Sequence, residues 1–284
     1  MLPEFNFKRP QTLIEALEIY SSGNYSIIAG GTDVIVELRK EKKAEQDILD
    51  ITGLDELKGI RKEGKNIVIG ALSTFSEVFS SPLIEKEAPL LKEAVRNVGS
   101  LQIRNRGTIG GNICNASPAA DSVPALVALD SMLTLASPQG ERKIKLDKFI
   151  TWPYATDIKE EEILKSISFS PPEFTGYHFY KLGRREALAI SRMNVAVMLK
   201  IKGGKIEKAF ISPGSVMPSP GRVSVAEKLV EGNKPSKEIF EKAGFKVSEI
   251  MIKESGIRWS TEYKKPVIEQ MVKRALIFAA GLKE

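Results

Sequence analysis

The spacing of hydrophobic positions along the first third of the chain predicts short strands that alternate with helices. Apolar residues recur at helical spacing over residues 13–20 and predict a helix that ends before Gly23. Thr12 and Glu15 stand at the start of this helix with the spacing of a capping box. The further predictions for this part are strands at 26–29, 48–51 and 67–72, and helices that begin near Thr32 and Thr74.

The middle of the chain continues this alternation. Residues 82–98 have helical spacing, and Pro89 divides them because proline lacks the N–H that an interior helical position donates. The turn sequence Ser137-Pro138-Gln139-Gly140 predicts a hairpin between strands at 132–136 and 141–146. A short helix at 123–129 and a half-exposed strand at 162–169 complete the region.

The segment Ser170-Pro171-Pro172-Glu173 is a candidate domain boundary, because two prolines neither continue a strand nor begin a helix comfortably. Beyond it the pattern predicts antiparallel strands at 177–182, 195–201 and 205–211, and helices at 223–230, 237–252 and 263–280. The last part of the chain is therefore predicted to be a sheet covered by helices.

Composition narrows the class of protein. A chain of 284 residues with 42% hydrophobic and 27% charged residues fits a globular protein of two domains, or of one domain with an appendage. We find no signal-peptide pattern and no apolar run of the roughly 18 to 20 residues that a membrane span needs, which predicts a cytoplasmic protein. The net charge of +6 is spread over mixed runs without a basic stripe among aromatics, so a solvated surface is favoured over nucleic-acid binding.

The counts of cysteine and histidine exclude several kinds of site. With Cys114 as its one cysteine, the chain has no internal disulfide framework, no cysteine-ligated iron–sulfur cluster and no cysteine-rich zinc site of its own. A single histidine, His178, is too few for a histidine-rich metal site and excludes most Ser-His-Asp arrangements. We expect Cys114 to be a small buried hydrophobic residue and His178 to lie on a strand face. Any redox chemistry would need a bound cofactor.

Two glycine-rich stretches suggest where such a cofactor would bind. Residues 103–115 contain Gly107, Gly110 and Gly111, and residues 29–33 contain a second glycine pair. Glycine lets the backbone approach a ligand closely, and bare N–H groups near a helix start can bind an anion such as a diphosphate. Neither stretch has the GxGxxG fingerprint or the lysine of a P-loop. Taken alone, each is more often only a tight connection in which glycine supplies a positive φ.

The order of several longer motifs carries a family resemblance. AGGTD at 29–33 and TIGGN at 108–112, with the flanking sequences VGSLQIRNRG and NASPAADSVPAL, resemble the FAD-binding medium subunit of the molybdenum hydroxylases, the family of the xanthine and carbon monoxide dehydrogenases. The resemblance extends through EEILKSISF at 161–169, YKLGRREALAISRMNVAV at 180–197 and STEYK at 260–264. It covers nearly the whole chain.

This resemblance implies an α+β fold and a division into domains. A two-lobed FAD-binding domain of the vanillyl-alcohol-oxidase (PCMH) type is expected over 1–172, with lobes at about 1–55 and 56–172. A C-terminal α+β domain of the CO dehydrogenase flavoprotein type, an antiparallel sheet plus helices, is expected over 173–284.

The resemblance also implies the residues that bind FAD. They are Ala29, Gly30, Gly31, Thr32 and Asp33 in one pyrophosphate loop, Thr108, Ile109, Gly110, Gly111 and Asn112 in the other, and Asp121, Leu164 and Lys181 along the rest of the cofactor. No catalytic acid or base and no metal ligand is expected in this chain.

Three of these assignments leave alternatives open, and two arginines outside the set do so as well. Asp121 is either an acceptor for the polar adenosine or ribitol portion of FAD or an N-cap, and Leu164 is either a cover for the flavin or a core residue. Lys181 is either a cation beside the flavin or an ordinary strand lysine. Arg104 and Arg106 suit either a phosphate or a partner surface.

The family works as a complex, which sets the expected function. A small subunit with two [2Fe-2S] clusters and a large subunit with molybdopterin are the implied partners, as a dimer of heterotrimers, and this chain would pass electrons from the clusters through FAD to an external acceptor. Nucleic acid and a membrane span are not expected. The alternatives are a self-standing FAD-dependent oxidase or dehydrogenase, and a flavin-free assembly module with the same fold.

Overall fold

The computed structural model describes residues 4–40, 47–186 and 188–283. Its first layer is a small parallel sheet of strand order β1-β3-β2. The elements of this layer are β1 (Phe7–Lys8), α1 (Leu13–Ser21), β2 (Tyr25–Ile28), α2 (Val34–Arg39) and β3 (Asp47–Asp50). Leu13 and Leu17 of α1 pack with Leu49 of β3 in one apolar cluster. The helical spacing over 13–20 is thus the buried face of an amphipathic helix.

The starts of both helices differ in detail from the predictions. Thr12 Oγ1 accepts the Glu15 N–H at 3.2 Å, but the Glu15 carboxylate accepts the N–H of Gln11 at 2.7 Å, so the predicted capping box is only half formed. Helix α2 begins after Asp33 rather than at Thr32, and Asp33 makes no side-chain cap hydrogen bond. The turn through Gly31, whose φ is +74°, delays the helix.

The second layer is an antiparallel sheet of order β4-β5-β10-β6-β7. Its strands are β4 (Ile60–Glu63), β5 (Asn66–Gly70), β6 (Met132–Ser137), β7 (Gly140–Lys145) and β10 (Ile163–Phe169), preceded by a short 3-10 turn at Asp55–Leu57. The hairpin around residues 137–140 is confirmed. Strand β4 was not predicted, because three of its four side chains are charged and exposed, and it is an edge strand.

Short helices and a small hairpin accompany this sheet. They are α3 (Phe75–Ser80), α4 (Pro82–Glu87), α5 (Pro89–Arg96), α6 (Leu101–Arg104), α7 (Ile109–Asn115), α8 (Ser122–Ala128) and α9 (Leu146–Phe149), with β8 (Ile150–Trp152) and β9 (Ala155–Thr156). The break at Pro89 is confirmed, and Thr74 with Glu77 forms a complete capping box at the start of α3. The second glycine stretch lies in the first turn of α7.

The last part of the chain is an antiparallel sheet with three helices, as predicted. Its elements are β11 (Gly176–Leu182), β12 (Met193–Lys202), β13 (Lys205–Gly214), α10 (Ser224–Val230), α11 (Lys237–Ser255) and α12 (Thr261–Ala279). Strand β12 is buried on both faces: Val195 and Val197 pack in the core with helices α10–α12, while Ala196 and Met198 pack in the core of the second layer. Across the described ranges, no helix combines the length and apolarity needed to cross a bilayer.

An ion-pair network ties β7 to the chain before β10. The Arg142 Nη2 lies 2.8 Å from Glu162 Oε2, and its Nη1 lies 3.1 Å from Asp157 Oδ2. The Glu162 carboxylate, whose side chain is only 8% exposed, also accepts the Lys159 N–H at 2.7 Å. These donors, with Arg142 first, hold the pKa of Glu162 below its usual value.

Replacing Arg142 by alanine should lower the free energy of unfolding at neutral pH by about 2 kcal/mol, because the buried Glu162 carboxylate loses its charged partner. The folded-state pKa of Glu162 is lowered, so this stabilisation is present above the reference value of 4.5 and disappears as the pH falls through the folded pKa. Urea unfolding in a pH series should therefore show the gap between wild type and variant closing in acid.

The control is Lys165→Ala, which removes an ion pair with the more exposed Glu141 on the same sheet. We expect it to cost less than about 1 kcal/mol. An Arg142→Ala gap that stayed constant down to acid pH would contradict the assignment of the effect to Glu162.

Candidate functional site

The two glycine-rich stretches meet in space. A Cβ atom on Gly30 would lie 2.1 Å from the carbonyl oxygen of Arg106 and 2.9 Å from the Cα of Gly107, distances that real Cβ atoms do not show. The backbone of residues 29–33 is therefore in direct contact with the backbone that leads into α7. Only glycine at position 30 permits this approach.

The first stretch presents backbone donors that the protein does not use. Chain direction changes after β2 ends at Ile28, and Gly31 takes a positive φ before α2 begins. Within the part of the chain that the structure describes, the backbone N–H groups of Gly30, Gly31, Thr32 and Asp33 have no acceptor. A bound anion can therefore accept hydrogen bonds from these amides without displacing an internal partner.

The second stretch uses most of its amides internally, which corrects the expectation that both glycine pairs present them. The Gly110 N–H donates to the carbonyl oxygen of Ala71 at 2.9 Å, and the Gly111 N–H donates to Thr108 Oγ1 at 3.0 Å. A Cβ on Gly110 would lie 2.6 Å from that same carbonyl oxygen of Ala71. Gly110 thus allows α7 to pack closely on the chain after β5.

Three polar groups at the start of α7 still point to a ligand role. The Thr108 N–H and the Asn112 side-chain amide nitrogen have no acceptor among the described residues, and the Thr108 hydroxyl, which accepts from Gly111, keeps its own hydrogen free. The Asn112 carbonyl oxygen accepts the Ser122 hydroxyl at 2.7 Å, which fixes the orientation of the amide. Free donors in both stretches can therefore hydrogen-bond the oxygens of an anion such as a diphosphate.

Asp121 and Lys181, expected as separate cofactor contacts, pair with each other. Asp121 Oδ2 lies 2.6 Å from Lys181 Nζ, and Asp121 Oδ1 accepts the Ser191 hydroxyl at 2.5 Å and the Asn194 amide at 2.9 Å. Asp121 is 5% exposed and makes no side-chain cap hydrogen bond to α8, although it stands at the N-cap position. This buried tetrad joins the start of α8 to β11 and β12.

Lys181 also lines a cavity of about 560 Å³ between α5–α6 and the connection from β11 to β12. Its ammonium donates to Asp121 and, at 3.0 Å, to the carbonyl oxygen of Asn97. A lysine ammonium has three donors, so one N–H remains for a ligand in this cavity. The pairing with Asp121 keeps that charge in a fixed place.

The other expected residues fall in three different environments. Leu164 is buried in the core on β10, the strand that packs beneath α7. Cys114 is exposed, so the expectation of a buried residue is wrong: Ile113, its neighbour on α7, takes the inward position. His178 lies on β11 with its ring 4.8 Å from that of Phe278, and burial lowers its pKa.

Ser191 and Asn194 are the site residues that the sequence reasoning missed. Asn194 is fully buried near the start of β12, between the apolar residues Met193 and Val195. A lone asparagine in an apolar strand was the available signal, because a buried amide needs a hydrogen-bonding partner. Nothing in the sequence identified Asp121, 73 residues earlier, as that partner.

Comparison with known protein families matches two regions that together cover most of the chain. Residues 3–172 match the family described as the FAD binding domain in molybdopterin dehydrogenase, and residues 178–279 match the CO dehydrogenase flavoprotein C-terminal domain.

The relatives found by sequence and by structure have similar lengths. The glyceraldehyde dehydrogenase medium chain of Sulfolobus acidocaldarius is 33% identical, over 96% of this chain and 97% of its own. The putative xanthine dehydrogenase FAD-binding subunit of Escherichia coli is 30% identical, over 97% of each chain. A carbon monoxide dehydrogenase structure from Hydrogenophaga pseudoflava contains a chain that superposes with a TM-score of 0.92 at 29% identity, covering 99% of each.

Replacing Gly30 by alanine should weaken FAD binding about tenfold or more, because the new methyl group would push the two glycine stretches apart. FAD titration of the flavin-free chain, followed by flavin fluorescence, measures the affinity, and thermal unfolding shows whether the variant is folded. Gly221→Ala is the matched control, since its Cβ would meet no atom within 4 Å and its φ is not positive. Equal affinities for wild type and Gly30→Ala would refute the proposed contact.

Replacing Asp121 by asparagine should lower the free energy of unfolding by about 3 kcal/mol. The buried Lys181 ammonium would lose its counter-ion, because asparagine is uncharged and has one acceptor oxygen fewer than aspartate. The control is Asp130→Asn, which changes an exposed ion pair with Arg222 at a left-handed position that asparagine tolerates. We expect less than about 1 kcal/mol for the control. Similar losses in urea unfolding for both variants would contradict a special role for the buried pair.

Proposed function

We propose the following function for this chain, which belongs to the family of FAD-binding medium subunits of the molybdenum hydroxylases. It passes electrons from iron–sulfur clusters on a partner subunit through FAD to an external acceptor. The observation that carries this proposal is the close contact of the two glycine stretches, with four unused amides beside it. A neutral donor cradle of this kind fits a dinucleotide diphosphate, and FAD is the cofactor that the family binds.

The proposed contact set keeps all thirteen residues of the sequence prediction and gives them different tasks. These residues are Ala29, Gly30, Gly31, Thr32, Asp33, Thr108, Ile109, Gly110, Gly111, Asn112, Asp121, Leu164 and Lys181. The amides of the first stretch, with the Thr108 N–H and hydroxyl, would hold the diphosphate. Gly110 would act by permitting close packing, and Leu164 by forming part of the apolar floor.

Asp121 and Lys181 would act as a pair. Asp121 would hold the ammonium of Lys181 at the cavity wall, where its remaining N–H can reach a polar edge of the cofactor. Bound FAD supplies redox chemistry that takes up and releases electrons, and the protein supplies its position and surroundings. A fixed positive charge near a group that gains negative charge on reduction favours the reduced form.

We also propose the domain division that the sequence suggested, with the FAD-binding domain at 1–172 in lobes of about 1–55 and 56–172, and the C-terminal domain at 173–284. Two matched regions of the family, 3–172 and 178–279, support this division. Support also comes from the apolar clusters, one of which lies within the C-terminal part.

The proposed partners are a small subunit with two [2Fe-2S] clusters and a large subunit with molybdopterin, in a dimer of heterotrimers. Several relatives are named as medium chains or FAD subunits, which implies larger assemblies for them. Cys114 alone cannot ligate a cluster, so iron–sulfur centres would have to lie on another chain.

Purification of the native protein tests this function. We expect visible flavin absorbance, one FAD per chain after release, and two accompanying subunits that contain iron and molybdenum. A chain that binds no added FAD would indicate the flavin-free assembly module. A chain that oxidises a substrate by itself, without partner subunits, would indicate the self-standing oxidase or dehydrogenase.

A further inference from the structure

Lys181 shares its cavity with Arg96, Arg104, Arg184 and Arg185. Folding brings these arginines together from two sequence segments, 96–106 and 184–190. Together they contain five arginines and one glutamate, an excess of four positive charges in a chain whose net charge is +6. Charge that is spread along the sequence is therefore gathered by the fold at this cavity, at a surface that we call the arginine rim. Its arginines are Arg96, Arg104, Arg106, Arg184 and Arg185.

Most of the rim is not neutralised by the protein. The side chains of Arg96, Arg106 and Arg184 are exposed and make neither a hydrogen bond nor an ion pair with any described residue. The Arg104 side chain donates only to backbone carbonyl oxygens of the loop before α6. Exposed cations elsewhere on this molecule often have an acidic neighbour, as Lys208 has in Glu231.

Exposed apolar side chains accompany the arginines. Leu101, Leu188 and Ile190 are 59%, 55% and 80% exposed. Leu101 and Leu188 line the cavity. A mixture of arginine and exposed aliphatic residues, poor in lysine and acidic groups, is the composition of protein–protein contact surfaces.

The rim lies next to the candidate FAD site. The backbone of α6 leads directly into the second glycine stretch, and the Gly107 N–H donates to the carbonyl oxygen of Ile103 at 2.6 Å. The cavity that these arginines line is also lined by Lys181, the residue that we propose to contact the cofactor. A partner seated on the rim would therefore lie close to the flavin.

We propose that the arginine rim is the docking surface for an acidic, soluble one-electron carrier protein, the external acceptor of the electron transfer described above. This inference rests on the proposed function. Two oxidised carriers would each take one electron for every two-electron oxidation of substrate, and the protons released would go to solvent. Arginine favours such a surface because its planar guanidinium pairs with carboxylates in a bidentate geometry.

A protein suits the rim better than a small anion does. Four arginines line the cavity and exposed aliphatic residues accompany them, more than one small ligand would need to neutralise and cover. Electron-transfer complexes bury small interfaces and depend on electrostatic attraction for rapid encounter. The surface should therefore give weak, fast and salt-sensitive association.

The test uses the full chain loaded with FAD and compares two protein acceptors of opposite charge. The acidic probe is plant plastocyanin and the basic probe is mitochondrial cytochrome c. The flavin is reduced anaerobically by light, with EDTA as the electron donor, and is then mixed with each oxidised probe in a stopped-flow instrument at low and high salt. We expect plastocyanin to be reduced faster than cytochrome c at low salt, and salt to remove most of the difference.

The variant Arg96→Glu/Arg184→Glu should slow the reduction of plastocyanin about tenfold at low salt and speed that of cytochrome c. Both rates are expressed per bound FAD, because both arginines line the cavity at which Lys181 is proposed to reach the cofactor. Lys205→Glu is the control, because this exposed lysine begins β13 and is not among the residues that line the cavity. It should change either rate less than about twofold. A salt-dependent binding titration of plastocyanin on the chain without FAD gives a second readout, which should show the same order of variants.

Several outcomes would overturn the inference. They are equal rates for the two probes, loss of FAD from the double variant, loss of accompanying subunits from its native complex, and a reduction of NAD⁺ that the double variant abolishes. The second assigns the rim to the cofactor site, the third to a subunit interface and the fourth to a dinucleotide. Failure of the wild-type chain to bind FAD would refute the proposed function, whereas the titration without FAD would still decide the docking surface.

Discussion

The close approach of two backbone segments is the constraint on which this structure depends. Gly30 leaves no space between itself and the carbonyl oxygen of Arg106, and Gly110 leaves none between α7 and Ala71. These contacts fix the parallel sheet of the first layer against the antiparallel sheet of the second. Because one stretch uses its amides for this packing and the other leaves them open, the two glycine pairs, although alike in sequence, have different roles.

A second constraint joins the C-terminal part to the rest. Strand β12 is buried on both faces, so its alternate side chains belong to two different cores. Because Asn194 is buried, its side-chain N–H groups would have no acceptor if the Asp121 carboxylate did not accept from them. The same carboxylate holds Lys181 at the edge of the cavity, so the residues that connect the two parts also place a cation at the candidate site.

The Lys181 ammonium shares its cavity with arginines from two segments, which has an electrostatic consequence. Segments 96–106 and 184–190 each carry a few positive charges, and the fold brings Arg96, Arg104, Arg184 and Arg185 to the lining of one cavity. Asp121 neutralises Lys181 within the protein, whereas no carboxylate performs this function for Arg96 or Arg184 among the described residues. The surface beside the candidate cofactor site therefore favours negatively charged partners.

The sequence by itself determined the order of elements, the break at Pro89, the hairpins and the family, because these depend on local spacing, on proline and glycine, and on long motifs. It did not determine the charged edge strand β4, the exposure of Cys114, or the internal use of the Gly110 and Gly111 amides. Only the tertiary structure decided that Asp121 pairs with Lys181 and that distant arginines share one surface. The physical reason is that burial and charge pairing depend on residues that are remote along the chain and adjacent only after folding.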